Sequence, residues 1–498
     1  MFSKVRTTLK DSIIYGFGNI TTKIVGLVLL PLYTSHITVS DYGILGILEI
    51  TILILTQVLM FGQHQAYVRF FCKQDNTENT KDPFFTSFLF LILIGLLLNF
   101  FGNIFLKNIS GKFHDPQVFK IYVQISLWVV AFRLINKLCL SSFRARGKAL
   151  LYTISNICKL TCTLGLTIYF VAFMKIGIKG ILISYLIGEV LLFIIILPRI
   201  LTSIKFELDP LMLKKTLYFG FPLIFSALAG MLLNMGDRYI LKILGNYKEV
   251  GLYNLGYKVA SVLSIFLIQS FQLGLQPIAY SMYQKKGDKR FYSKMLTYSM
   301  FVLTWAGLGL AIISKELIKT LALNPDYWLA YTIVPYIIFG LLFSGARTVV
   351  NIGLYITHKT SSIAINTVIA AILNILLNFL LIPKFQILGA AYATIISFIV
   401  LYIMSYRAAQ KHYKVPYENN KLFLLILLWI ALVFLSSLTN GFSIVIRILI
   451  KISVFISFPF ILYLLRFFEP VEIRRIGGSI NKWMSKIRHK QVNKDYHG

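Results

Sequence analysis

The sequence predicts an all-α integral membrane protein: fourteen transmembrane helices, arranged as two parallel six-helix lobes around a central cavity, plus two C-terminal helices. Three observations carry this. Of the 498 residues, 57% are hydrophobic and only 14% are charged, against about 25% charged in soluble domains. Apolar runs of about 20 residues recur along the whole length, enough to cross a hydrocarbon core of about 30 Å as helix. Similar segments also return after 204 to 212 residues, with six spans between them.

The elements follow in order. Spans 1–6 fall at 12–34, 42–62, 84–106, 118–142, 150–173 and 180–198, within an N-lobe of residues 1–205. Spans 7–12 fall at 216–236, 250–275, 294–314, 328–355, 361–382 and 388–406, within a C-lobe of residues 206–412. Spans 13 and 14, at 422–438 and 443–466, form an accessory pair in 413–470. Residues 471–498 form a basic tail, "RRIGGSINKWMSKIRHK", suited to anionic headgroups. The basic stretch Met1–Lys10 leads directly into span 1, which argues against a cleaved signal peptide.

A net charge of +31 would suggest nucleic acid in a soluble protein. Sorting the bases by loop gives a different meaning. Segments on the N-terminal side of the membrane hold 31 of the 50 lysines and arginines, loops on the other side hold 11, and 8 lie inside spans. Positive residues concentrate on the cytoplasmic face. Both termini are therefore expected in the cytoplasm, with no nucleic-acid partner.

The repeat is readable in four places. "LKDSIIYGFG" (Leu9–Gly18) pairs with "LKKTLYFGFP" (Leu213–Pro222), and "SDYGILGILE" with "KEVGLYNLGY". Gly62 pairs with Gly274, and Gly180 with Gly389. An even number of spans between copies keeps both in one orientation, as in transporters built from parallel repeats.

Several stretches now carry a resemblance: "LPLYTSHITVSDYGIL", "AYVRFF", "FRARGKALLY", "NMGDRYIL", "VGLYNLGYKVAS" and "NILLNFLLIPKFQILGAAYAT". In order and spacing they resemble the polysaccharide-flippase branch of the multidrug/oligosaccharidyl-lipid/polysaccharide exporter superfamily. That branch includes the Wzx-type O-antigen flippases and, more distantly, the lipid II flippase. The resemblance covers spans 1–12. It implies a bacterial inner-membrane flippase of undecaprenyl-pyrophosphate-linked oligosaccharide, serving O-antigen, capsule or exopolysaccharide synthesis. Lateral openings would let the lipid tail stay in the bilayer, among membrane lipids. Polysaccharide polymerase or chain-length proteins would be its partners.

Ionisable groups at membrane depth cost at least about 2.5–3.5 kcal/mol each on insertion scales, so they face a cavity or a partner. The candidates are Lys23, Glu49, Arg133, Lys137, Lys159, Glu189, Lys258 and Arg347. Lys23 lies about 18 Å along its helix, near the midplane. Glu49 and Lys258 occupy nearly matching levels in the two lobes, past the equivalent glycines Gly43 and Gly251, and could pair across the cavity. Lys137 and Arg347 are 210 residues apart, near the cytoplasmic ends of their spans, and Arg133 is one turn above Lys137. Lys23, Arg133, Lys137, Lys258 and Arg347 are therefore expected to receive a substrate pyrophosphate, with Glu49 as the cavity acid. Headgroup snorkelling is the alternative for Arg133, Lys137 and Arg347. The lipid II flippase resemblance, with bases on spans 1, 2 and 8, favours Lys23 and Lys258, but span 2 here carries Glu49 instead.

No GxxxxGK[ST] motif is present, so the expected energy source is an ion gradient or the membrane potential. Resemblance to the lipid II flippase branch implies a Na⁺ site at Asp237, Asn374, Asn378 and Thr394. One matching position carries an acid there where this chain has Asn378. A Na⁺ or H⁺ coupling ion is the expectation, with no other cofactor. Charge placement along "MLLNMGDRYIL" leaves two readings open: an interfacial Asp237–Arg238 pair, or an inward Asp237 with Arg238 anchoring the helix end.

Other classes fit less well. A drug exporter of the same superfamily needs cavity acids for cationic drugs, and bases dominate these spans. A membrane glycan polymerase or ligase needs a large extracytoplasmic loop, and none exceeds about 14 residues. The four cysteines, Cys72, Cys139, Cys158 and Cys162, read as small packing residues rather than a metal site.

Overall fold

A computed structural model describes residues 26–73, 83–109, 116–202 and 206–470. Twelve described helices are long and apolar enough to cross a membrane. In the N-lobe these are Val39–Leu59, Phe84–Leu106, Pro116–Ala145, Ala149–Phe173 and Gly177–Leu201, matching spans 2–6. Pro210–Met235, Tyr247–Met282, Asp288–Leu321 and Pro325–Ile356 match spans 7–10, and Asn419–Ser437 and Ile444–Leu464 match spans 13 and 14. Of span 1, the helical end Leu30–His36 is described, and Lys23 lies outside the described residues.

Spans 11 and 12 form one apparent helix, Thr360–His412, of 53 residues. Gln386 breaks it, with φ 50° and ψ −127°. In a straight helix Leu381 and Gly389 would sit about 12 Å apart along the axis. Instead a Cβ on Gly389 would lie 2.3 Å from the Leu381 carbonyl oxygen, so the chain reverses here. Gly180, its repeat partner, is similarly tight: a Cβ there would meet Phe170 at 2.7 Å across the reversal between spans 5 and 6.

The repeat reaches into the caps. Span 2 starts on Thr38, whose hydroxyl accepts from the Asp41 amide at 3.1 Å. Span 8 starts on Asn246, whose side-chain oxygen accepts from the Glu249 amide at 2.9 Å. Thr38 and Asn246 are 208 residues apart, as are Asp41 and Glu249. A short polar cap with an acid three residues on satisfies free amides and favours the helix N-terminus.

These two helix starts pack directly on one another. A Cβ on Gly43 would lie 1.9 Å from the Tyr247 carbonyl oxygen, and one on Gly251 would lie 2.1 Å from that of Val39. A Cβ on Gly46 would meet the amide of Asn254, its own repeat equivalent, at 2.8 Å. Repeat-equivalent residues that touch lie at the pseudo-two-fold axis, so the lobes join there. Only glycine lets backbones approach this closely. This end, carrying residues 37–43 and 321–327, is the one that charge asymmetry assigns to the outside.

Further bonds close this end. The Tyr327 hydroxyl donates to the carbonyls of Ile37 and Thr38, both at 2.9 Å, and the Thr34 hydroxyl donates to that of Leu321 at 3.1 Å. Thr51 and Tyr239 share a hydrogen bond of 2.7 Å across the lobes. At the opposite end the lobes touch through Gly62, where φ is 68°, against Gly220, and through Arg69 stacked 4.3 Å over Phe219.

The accessory helices are clamped at both ends of span 9. Glu316 pairs with Arg447 at 2.6 Å and Lys451 at 2.7 Å on span 14. Lys294 pairs with Glu418 at 2.9 Å and Glu469 at 2.5 Å. Buried charge of this kind is tolerated because each group is paired.

Candidate functional site at the lobe boundary

Lys258 stands where the lobes meet. Its stem packs against Gly26 on span 1, whose added Cβ would lie 3.1 Å from Lys258 Cε. Its ammonium lies 5.7 Å from the Tyr33 ring and 5.9 Å from the Tyr42 ring, both N-lobe residues. Among the described residues no carboxylate comes within ion-pair distance of it. Tyrosine faces attract a cation without neutralising it.

Glu49 belongs to the same neighbourhood but answers to its own lobe. Its carboxylate accepts from the Tyr185 hydroxyl of span 6 at 2.6 Å. The expected Glu49–Lys258 pair does not close. Instead a tyrosine layer, Tyr33 and Tyr42 with ring centroids 6.2 Å apart, stands beside both groups. Tyr42 in turn packs edge-on against Tyr327 of the outer closure, at 5.9 Å.

The basic residues of span 4, expected to form a ring that meets the substrate, have partners within their own lobe. Arg133 Nε donates to Glu189 Oε1 at 2.8 Å, and Lys159 Nζ donates to the same oxygen at 2.6 Å. Asn136 donates to the other oxygen at 2.9 Å. Glu189 is fully buried, while the side chains of Arg133 and Lys159 keep 27% exposure. Spans 4, 5 and 6 are thus joined through one carboxylate. Two cations share one acid, leaving a net positive charge that still reaches the surface of the lobe.

Lys137 and Arg347 keep partners in their own lobes. Lys137 Nζ donates to Gln57 Oε1 at 3.1 Å, and Arg347 Nη1 donates to Thr367 at 3.3 Å. Beside Lys137, at the start of the short helix Gln63–Lys73, is His64. Burial, with Lys137 and Arg144 close by, holds its imidazole well below the ordinary range, at about 3.

Asp237 and Arg238 are both buried, 1% and 3% exposed. Span 7 is interrupted at Gly236, and Asp237 and Arg238 open the short helix Asp237–Leu244, buried in its first turn. Asp237 turns inward as one sequence reading has it. Arg238 does too, which departs from the reading of Arg238 as an anchor at the interface. Tyr253 on span 8 donates to Asp237 at 2.5 Å and stands 3.4 Å from the Thr394 hydroxyl. Asn374 and Asn378 bond each other at 3.0 Å and are fully buried.

Sequence reasoning named Glu189 and Lys159 as in-span charges without joining them to Arg133. It missed the Glu316 clamp altogether, although Arg447 and Lys451 are visibly one helical turn apart inside span 14. Among the described residues no group of three metal-ligating side chains occurs, and Cys139 is a buried free thiol.

Two lobes joined at one end by facing glycines, with Lys258 at their boundary, give a fold shared with solved flippase and multidrug-transporter structures. The lipid II flippase MurJ in an inward closed conformation superposes with a TM-score of 0.72 over 91% of this chain and all of that one, at 20% identity. An inward-facing multidrug resistance MATE transporter reaches 0.64 over 81% of this chain and 95% of its own, at 12% identity. Residues 8–283 match the model of the family described as "Polysaccharide biosynthesis protein", and the chain belongs to that family. An uncharacterised membrane protein of Methanocaldococcus jannaschii is 30% identical over 186 residues, 36% of this chain and 35% of that protein. A protein of Haloferax volcanii named "Probable low-salt glycan biosynthesis flippase" is 26% identical over 183 residues, 35% and 37% of the two chains. The matches span about a third of the length of these curated relatives.

Proposed function

We propose that the chain is a flippase. It moves an oligosaccharide carried on a polyprenyl pyrophosphate from the inner to the outer leaflet by alternating access. In a bacterial cytoplasmic membrane the carrier would be undecaprenyl, and the product would feed O-antigen, capsule or exopolysaccharide synthesis beside a polymerase and chain-length proteins. Family membership and the name of the Haloferax relative support the substrate class.

The observation that carries the reading is Lys258. It is a cation at the boundary of the two lobes, held among tyrosines and without a carboxylate partner among the described residues. An anionic headgroup entering between the lobes would supply a direct ion-pair partner. Lysine serves phosphate as a point charge, so the site would recognise the pyrophosphate and tolerate varied sugars. Lys23 would add to it from span 1, with Arg133, Lys137 and Arg347 lining the approach. Glu49 would set the local charge balance.

A membrane potential negative inside favours outward movement of an anionic headgroup by about 2.3 kcal/mol per charge per 100 mV. The potential therefore drives the loaded step, with the empty carrier returning uncharged by substrate or with a proton.

The test is export of surface glycan in a flippase-deficient strain. Lys258→Gln should abolish it and Lys258→Arg should restore part of it. Full export by Lys258→Gln would remove the reading. The rival is a drug exporter, which draws on Glu49 at the same level and on the MATE-like fold. Resistance to cationic drugs that rises with expression and falls with Glu49→Gln would favour it.

A further inference from the structure

A sodium ion in the Asp237 cluster would need a set of free oxygens and a net negative charge to balance it, since hard cations are held by carboxylates, carbonyls and hydroxyls. The oxygens in question are Asp237, Asn374, Asn378 and Thr394. Their commitments can be followed one by one.

Asp237 Oδ1 accepts from the Arg238 amide at 3.0 Å and from Arg238 Nη1 at 2.7 Å. Oδ2 accepts from the Tyr253 hydroxyl at 2.5 Å. The Thr394 hydroxyl donates to the Ala390 carbonyl at 3.0 Å, and Asn378 Nδ2 donates to both the carbonyl and the side-chain oxygen of Asn374, at 2.8 and 3.0 Å. One acceptor of the set, Asn378 Oδ1, has no partner among the described residues, and Asn374 Nδ2 and Arg238 Nε are donors without one. A cluster with two unanswered donors and one unanswered acceptor is not a cation cage.

The charge count gives the same answer. The cluster contains one carboxylate and one guanidinium, both buried, so it is neutral before any ion arrives. A sodium ion would leave a buried positive charge without a counterion, which is strongly unfavourable. The guanidinium is also fixed from three further directions. Nη1 donates to the Asn234 carbonyl at 2.7 Å, and the group stacks 4.1 Å over Tyr257 and 5.1 Å over Tyr253. Arginine is well suited to this place because it stays charged and its flat face packs on aromatic rings.

We propose that Arg238 is the resident counter-cation of Asp237, so that this cluster takes no sodium ion and transport is not sodium-coupled through it. Asp237, Arg238, Tyr253 and Thr394 form instead a permanent joint between spans 7, 8 and 12, while Asn374 and Asn378 are bonded to each other within span 11. A cation bonded into the chain cannot be released on either side of the membrane, so this position cannot return the carrier by exchanging ions. The inference does not depend on what the protein carries.

The full-length protein, purified in detergent, tests it through thermal unfolding in NaCl against KCl and choline chloride at equal ionic strength, and through binding of ²²Na⁺. Wild type should show no sodium-specific rise in Tm and no saturable ²²Na⁺ binding. Arg238→Gln leaves Asp237 without its cation and should gain both, and Asp237→Asn added to it should remove both. Arg238→Lys keeps a cation and should stay indifferent to sodium. Sodium-specific stabilisation of wild type, lost in Asp237→Asn, would overturn the proposal. So would an Arg238→Gln protein no more sensitive to sodium than wild type. If Arg238→Gln fails to fold, the wild-type and Arg238→Lys arms still decide.

Discussion

Gly43 and Gly251 meet across the lobe boundary at positions 208 residues apart in the chain. A Cβ on Gly43 would lie 3.0 Å from the Gly251 amide nitrogen and 1.9 Å from the carbonyl oxygen of Tyr247. The two helix starts are thus in backbone contact, and nothing larger than glycine fits while the outer end is shut. Gly43→Val should push the lobes apart there. Overpacking of this kind costs about 1–3 kcal/mol, enough to shift a two-state equilibrium by about fivefold to 150-fold. The expected outcome is faster labelling by an impermeant reagent of a cysteine placed at Val39, which is buried against Gly251, with impaired export. Unchanged labelling would mean the glycine contact does not hold the outer end.

Tyr327 makes the second outer contact, through one hydroxyl and two carbonyls. Tyr327→Phe removes the hydroxyl but keeps the ring against Tyr42. Each lost hydrogen bond is worth about 0.5–1.5 kcal/mol. The variant should fold normally and favour the outward-open form less strongly than Gly43→Val does. The same labelling assay ranks the two.

Glu189 compensates both Arg133 and Lys159. Glu189→Gln should destabilise the N-lobe, by about 1–3 kcal/mol, because it leaves two half-buried cations without their shared acid. Glu189→Gln with Lys159→Met removes one cation along with the acid and should recover part of the loss. The measurement is Tm in detergent, and a single variant as stable as wild type would contradict the network.

His64 gives a pH dependence of known sign. Its folded-state pKa, about 3, lies below the ordinary imidazole value of 6.5. Between those values the unfolded chain binds a proton that the folded chain refuses. Stability from this group is therefore complete above pH 6.5 and declines as pH falls below it. His64→Gln should flatten the wild-type fall in Tm between pH 7 and pH 5. Parallel curves for the two proteins would exclude the effect.

The accessory helices owe their position to Glu316 and to Glu418 with Glu469. Glu316→Ala leaves Arg447 and Lys451 facing one another without an acid. It should loosen span 14 while leaving the two lobes intact. Proteolysis or hydrogen exchange confined to residues 438–470 is the expected result, and protection equal to wild type would contradict the clamp.

Much of the fold was legible because membrane crossing and repetition are written in composition and spacing. The pairing of Gly180 with Gly389 was readable from the repeat, whereas the caps Thr38 and Asn246 and the tight reversals came from the structure. What was not legible required knowing which helix faces meet. Arg133 and Glu189 are 56 residues apart and lie on different spans, so their opposite charges were visible but their contact was not. Glu49 and Lys258 sit at matching levels in the sequence, yet Glu49 is bonded to Tyr185 and Lys258 stands over the rings of Tyr33 and Tyr42. At Asp237 the adjacent Arg238 was in plain sight. Helix geometry made it natural to point the two in different directions, and only the aromatic seat made by Tyr253 and Tyr257 shows why both turn inward.

The central claim is tested most directly in proteoliposomes holding the purified protein and a polyprenyl-pyrophosphate-linked oligosaccharide with a fluorescent sugar. Transfer between leaflets is read by its accessibility to an added glycosidase, with a potassium diffusion potential imposed. The account predicts transfer that speeds up when the compartment receiving the pyrophosphate is positive, and that is lost in Lys258→Gln. Transfer equal to that of protein-free vesicles, or transfer indifferent to both the potential and Lys258, would contradict it.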